Sequence, residues 1–513
     1  MPKVVPRIAA LVWVLTGAML GLLAGAAPAR AALLPTPIEV ARHQRISTSA
    51  EMSAYLDALV THASTAPVPV LARKETLGTS VRGQAIEALV LSAPSAGSGR
   101  RLRVLMVGSL HGAAEPAGGE ALLELARDFV AGDLRPLLDD LDLVLIPNAN
   151  PDGRDTNHRS NVNAININTD FVRLSQPETL ALHQALTRYA PDAVLDAHES
   201  AVLKRQTLAR EGYLTDFDAQ FEIANNPAVP AALRAYALGE LLPPLLARVS
   251  AGGLPAHRYI GEIISTTQPI TNGGLTARNF RNTAGLTGAL SVLVETKLDS
   301  RDDAWPTYRN IAVRVRRQRL CLESFVREVH DQRAAIAVRT ATARADLARE
   351  ALTLYAAYAP DPTHPRVTLP LRRLDTRALE DHVFDDHRRV VTTDTIAFPP
   401  ALAITAHTER MRALLDRHGI AYRVLARPEP TPVLAARFSS AAGDMGPVAM
   451  ADEHRRVLDL PAGSLLVDLG QPAGRIAALL LDPRATSSVF RYPDYAGLVR
   501  PDREFFVYRL APP

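Results

Sequence analysis

Between about residues 100 and 300 the chain alternates short apolar runs with helix-period patterns, and polar residues able to do chemistry sit just past the runs. That alternation predicts an α/β domain on a central sheet flanked by helices. The clearest strands are expected at 103–110, 142–147, 193–197 and 291–295, with helices over 119–130 and 178–189. Open α/β sheets bind ligands beyond the C-terminal ends of their strands. His111 and Glu115 follow the first run, His198 follows the third, and Glu295 closes the fourth.

Two imidazoles and a carboxylate form a zinc site that leaves one position open for water, and a second carboxylate can then serve as base. Zinc suits such a set better than magnesium, which prefers oxygen ligands. Each residue alone has a plainer reading. A strand-end histidine is commonly a satisfied polar group, and Glu115 before Pro116 is favoured by the helix dipole. His198 could belong to an exposed loop, with Asp196 able to orient its ring. Glu295 could be half of a surface ion pair.

Charge points away from nucleic acid. Residues 1–31 contain Lys3, Arg7 and Arg30 and no acid, so they carry the whole formal charge of +3. Without them the chain is neutral and has no general attraction to phosphate backbones. The same residues hold an apolar run over 8–27 followed by Ala29-Arg30-Ala31. That layout predicts a secretory signal cleaved after Ala31, with a retained anchor as the alternative, and hence a periplasmic or secreted protein with no stable membrane span once it is removed. The single cysteine, Cys321, excludes an intramolecular disulfide and is expected in the core.

Five segments lie in a suggestive order. They are 111–120 (HGAAEPAGGE), 147–154 (PNANPDGR), 159–171 with Arg159-Ser160-Asn161 and Asn166-Ile167-Asn168-Thr169-Asp170-Phe171, Asp196-Ala197-His198, and 292–296 (VLVET). Together they resemble the motifs of carboxypeptidase A-like zinc peptidases in their bacterial, exported form. The resemblance implies one zinc ion per chain held by His111, Glu115 and His198, Glu295 as general base, Arg159 facing the developing oxyanion, and Asn168 on the substrate. The implied fold is a mixed sheet flanked by helices, and the implied substrate is a peptide or amino-acid conjugate.

The sequence departs from that family in three places. Ala113 is an extra residue between His111 and Glu115. Thr169 stands where the family often has an arginine that clamps the substrate's C-terminal carboxylate, and a threonine cannot make that paired contact. Arg281 is the candidate replacement, an ordinary surface arginine being the alternative. The family's catalytic-region tyrosine has no match between Ile260 and Glu295, leaving Tyr259 and Tyr213 as candidates.

The organisation expected is a signal over 1–31, a catalytic domain over 32–308, a helical connector over 309–365 and a smaller α+β domain over 366–513. Helix is expected throughout 309–358, a Pro/Ala/Ser/Gly-rich loop over 430–450, and a substrate-side wall from 200–280. The function implied is an exported zinc-dependent hydrolase of peptide or amide bonds. An N-acyl-amino-acid deacylase of the related zinc group, or a binding protein on a degenerate peptidase fold, are the alternatives.

Overall fold

Nine strands fall between residues 71 and 297: β1 (Leu71–Thr79), β2 (Ala85–Ser92), β3 (Leu102–Val107), β4 (Leu141–Ile146), β5 (Ala193–Ser200), β6 (Tyr213–Thr215), β7 (Ala219–Ile223), β8 (Ala256–Arg258) and β9 (Leu290–Lys297). The structure, a computed structural model, describes residues 34–65, 68–94, 100–200, 208–298, 310–438 and 448–511. The expected signal lies outside them. Among the described residues no helix is long and apolar enough to cross a membrane.

Eight of these strands form one mixed sheet in the order β1-β2-β4-β3-β5-β9-β7-β8. Its centre, β4-β3-β5-β9, is parallel. The expected α/β arrangement is therefore present. Both faces of the centre are covered, which is why these strands read as nearly unbroken apolar runs. Val104, Met106, Leu143 and Leu195 join one buried cluster, and Leu105, Val107, Val144 and Val194 join the other. Each such side chain contributes about 1.5–3 kcal/mol on burial. A slip of one residue would exchange the two sets, so the register is strongly specified. That register places His198 beside Glu295.

The helix Ala117–Ala131 begins against the C-terminal edge of this sheet. Two glycines permit the approach. A Cβ on Gly118 would lie 2.8 Å from the Ala197 Cβ, and one on Gly119 would collide with the carbonyl oxygen of Pro147 and with Ser109 Oγ. Only residues without a side chain let Glu115 stand at the strand ends.

Two expectations are corrected. Helix covers Ile311–Asp331 and Arg333–Asp346, but Leu352–Ala359 is a strand paired with Arg389–Ile396. Its alternating burial outweighs the helix propensity of its alanines. Within the expected loop, Glu429–Phe438 is a ten-residue strand, and 439–447 lie outside the described residues. Pro430 and Pro432 fit because their missing N–H groups share one edge of the strand. That edge is the one on which Ala511 N donates to Pro432 O at 3.0 Å, away from the neighbouring strand Met450–Leu460. This strand belongs to a six-stranded C-terminal sheet, separate from the main one. Of residues 200–280, Ala219–Ile223 and Ala256–Arg258 extend the main sheet. The largest core cluster draws on residues from Ile38 to Val507, including the buried Cys321.

His418 ends the helix Thr408–Arg417 and meets His183 of the helix Pro177–Tyr189, ring centroids 5.2 Å apart. Nε2 of His418 faces the Val172 carbonyl at 3.0 Å, and Nε2 of His183 faces the His418 carbonyl at 3.3 Å. Both rings are therefore neutral with the proton on Nε2, and neither Nδ1 has a partner. Burial, reinforced by His183 and Arg417, lowers the His418 pKa from 6.5 to about 3. The unfolded chain takes up this proton first as pH falls, so the stabilisation is complete above about pH 6.5 and is lost toward pH 3. His418→Gln keeps a donor for Val172 without a titrating group. Its urea midpoint is expected to depend less steeply on pH than wild type between about pH 6.5 and 5; equal slopes would contradict the assignment.

Candidate metal centre and active site

His111 leaves β3 through a tight turn. Gly112–Ala114 form a single 3-10 turn, Gly112 has φ +51°, and Ala114 N donates to His111 O at 3.0 Å. This turn accommodates Ala113 and returns Glu115 to the side of His111. Glu115 Oε2 lies 2.8 Å from His111 Nδ1 and 2.9 Å from His198 Nδ1. The three groups are buried, and their candidate ligand atoms lie within 4.8 Å of one another. Glu120, by contrast, is turned away and paired with the buried Arg154, which also donates to Ser47 O at 2.7 Å and Ser109 Oγ at 2.9 Å.

Neighbours orient both imidazoles. Asn166 Oδ1 lies 3.1 Å from His111 Nε2, and Asp196 Oδ2 lies 2.9 Å from His198 Nε2. With the proton on Nε2 the His111 Nδ1 lone pair faces Glu115, and His198, oriented by Asp196, presents its Nδ1 to the same oxygen. His111 Nδ1 is buried and has no hydrogen-bond partner. A lone pair and a carboxylate oxygen at this separation repel unless a cation or proton intervenes. Around this cluster Glu115 and Asp196 are buried carboxylates, Glu295 is a partly buried one, and Arg159 is the cation in contact with Glu115. The residues thus fit a zinc ion, for which two imidazoles and one carboxylate are a suitable donor set.

The same crowding sets the acidities of the metal-free site. Burial alone would raise the Glu115 pKa, but His111 and Arg159 hold it well below the usual carboxylate range. Burial lowers that of His111. For His198 the effect of burial is outweighed by Asp196 and Glu115, which hold its pKa well above the ordinary value. Glu295 is pushed up to about 8, first by burial and then by the negative Glu115. Its Oε2 is buried without a hydrogen-bond partner.

Arg159 joins the cluster directly, in contact with Glu115 Oε1 and with Nη2 3.3 Å from His111 Nε2. Asn168 Nδ2 lies 3.2 Å from His198 Nε2, while its Oδ1 accepts from Phe280 N at 3.0 Å. Arg281 stands apart from the cluster and is buried rather than on the surface. Its Nη2 donates to Asn225 Oδ1 at 2.9 Å and Gly274 O at 3.3 Å, and among the described residues no carboxylate forms an ion pair with it. Burial raises the Tyr259 pKa, and the charge of Glu295 raises it further while that of Arg281 lowers it. Tyr213 instead bonds Glu380 at 3.1 Å. The strand Leu352–Ala359 reaches the surroundings of Arg281 through Tyr358, whose hydroxyl donates to Gly273 O at 2.7 Å and accepts from Asn225 Nδ2 at 2.9 Å. Sequence reasoning gave no role to Asn225, Tyr358, Glu199, Arg314 or Gln318. They come from four separate segments of the chain, and only Arg314 and Gln318 stand near each other in sequence.

Residues 53–193 match the zinc carboxypeptidase family model, a segment that contains His111, Glu115, Arg159 and Asn168; His198 and Glu295 lie beyond its end. The chain is 28% identical over 226 residues to Carboxypeptidase 2 of Trichophyton rubrum, covering 42% of each chain. It is 29% identical over 204 residues to Probable carboxypeptidase 2 of Arthroderma benhamiae, covering 39% of this chain and 38% of that one. The chain thus spans about two-fifths of the length of these curated relatives. Among solved structures it is similar to a metallo-carboxypeptidase from Pseudomonas aeruginosa, with 20% identity over 55% of this chain and 68% of that one and a TM-score of 0.38. The carboxypeptidase A of Helicoverpa armigera aligns with 14% identity over 56% and 75% of the two chains and a TM-score of 0.41. Over residues 53–193 the chain is therefore similar to zinc carboxypeptidases, and the described metal-ligand candidates His111 and Glu115 fall within that segment.

Proposed function

We propose that the chain is an exported zinc-dependent hydrolase that cleaves peptide or amide bonds in the manner of a carboxypeptidase, with Glu295 as general base. The observation that carries this reading is the convergence of His111 Nδ1, His198 Nδ1 and Glu115 Oε2, with the unpartnered Glu295 on the strand beside His198. His111, Glu115 and His198 would hold the zinc, which when bound supplies Lewis acidity toward a carbonyl and lowers the pKa of water to about 7. Glu295 takes a proton from the attacking water and returns it to the leaving nitrogen. Arg159 offers a fixed positive charge to the oxygen that becomes negative. Asn168 contacts the substrate backbone. Arg281 replaces the missing clamp: a buried guanidinium held only by neutral acceptors is completed by a carboxylate.

Glu295→Gln is expected to retain zinc and to lose at least about 100-fold in kcat on peptide substrates. Full turnover by that variant would refute the assigned base. A panel of free-acid peptides, C-terminally amidated peptides and N-acyl amino acids tests the substrate class. Arg281→Met is expected to raise KM for the free acids and leave the amidated peptides unchanged. Preference for N-acyl amino acids would favour the deacylase. For export, the N-terminus of the mature protein is expected at Ala32, and a protein that retains Met1 would contradict cleavage.

A further inference from the structure

The helix Ile311–Asp331 lies outside the matched family segment, yet two of its residues reach the metal centre from behind. Arg314 and Gln318 stand one turn apart on its buried face, both fully buried. Arg314 forks onto Glu199, with Nε 2.7 Å from Oε1 and Nη2 3.0 Å from Oε2. Glu199 follows His198 directly. Its Oε2 also accepts from Ala117 N at 3.0 Å, two residues past Glu115, and its own N–H donates to Glu115 Oε2 at 3.2 Å. Gln318 Nε2 donates to the His198 carbonyl at 2.6 Å and to Thr296 Oγ1 at 2.9 Å, next to Glu295. One helix therefore ties together the segments that carry Glu115, His198 and Glu295.

We propose that this helix sets the metal affinity of the site, with Arg314 and Gln318 as positioning residues that hold His198 and Glu115 at the separation a zinc ion requires. The inference rests on the metal-site reading above. Ligand distances in a working site are confined to a few tenths of an ångström, and contacts outside the ligand set govern whether they are met. The Glu199–Arg314 pair is suited to this because both ends are forked and dry: the carboxylate cannot rotate without breaking its bond to Ala117 N or to the guanidinium. Gln318 adds a second hold at the carbonyl of the ligand residue itself.

Metal-free full-length chain, titrated with zinc against a chromophoric chelator, provides the test. Two changes are informative: Gln318→Leu, and the double change Glu199→Gln with Arg314→Met, which removes the buried charge pair without leaving one member unpaired. Each is expected to weaken zinc binding about 10–100-fold relative to wild type, with far-ultraviolet circular dichroism unchanged. Gln318→Met provides a milder change if either variant fails to fold. Lower thermal stability of the metal-free variants with zinc affinity within twofold of wild type would overturn the inference and leave the residues purely structural. A wild-type chain that takes up no zinc would overturn the metal-site reading itself, and this inference with it.

Discussion

The crowding of His111 and His198 on one buried oxygen of Glu115 is the constraint on which the rest of the site depends. These groups lie within 3 Å of a shared carboxylate oxygen in a buried setting. Asp196 adds a further buried carboxylate beside His198. Such an arrangement is costly unless it is completed by positive charge. Arg159 contributes one part of it. A zinc ion would supply the remainder, since two imidazoles and a carboxylate suit zinc better than a harder cation.

Assembling that cost requires a rigid frame, and the sheet provides it. The parallel pairing of β5 with β9 puts His198 next to Glu295, and the apolar residues on both faces prevent the register from slipping. The glycines at 118 and 119 let a helix begin against the strand ends, which carries Glu115 into place. Buried ion pairs then act as struts. Arg154 with Glu120 fixes the near side of this helix, and Arg314 with Glu199 fixes its first residue and the end of β5. Such pairs contribute little net stability compared with apolar residues of the same shape. Their retention beside a metal centre is better understood as positional.

Much of this was legible in the chain. The central strands could be read because both faces are buried, so their sequences are nearly continuous apolar runs, and the ligand candidates stood at the ends of those runs. The 3-10 turn that accommodates Ala113 could not be read in the same way, since its shape depends on Gly112 lying close to His158 and Gly153. Arg314 and Gln318 left only a faint trace: two polar residues inside the stripe formed by Ile311, Val315, Leu322 and Phe325. In an arginine-rich helix they are indistinguishable from solvent-facing neighbours until the partner carboxylate is known. The strand Leu352–Ala359 was hidden by its alanines, and Glu429–Phe438 by its prolines. In both cases pairing with distant strands, absent from local sequence, decided the outcome.

X-ray absorption at the zinc edge of the loaded full-length chain tests the central claim most directly, because it reports the ligand atoms themselves. The structure predicts a shell of nitrogen and oxygen only, at about 2.0–2.2 Å, with the outer scattering of two imidazole rings. A sulfur contribution near about 2.3 Å, or scattering from fewer than two imidazoles, would contradict a centre built from His111, Glu115 and His198.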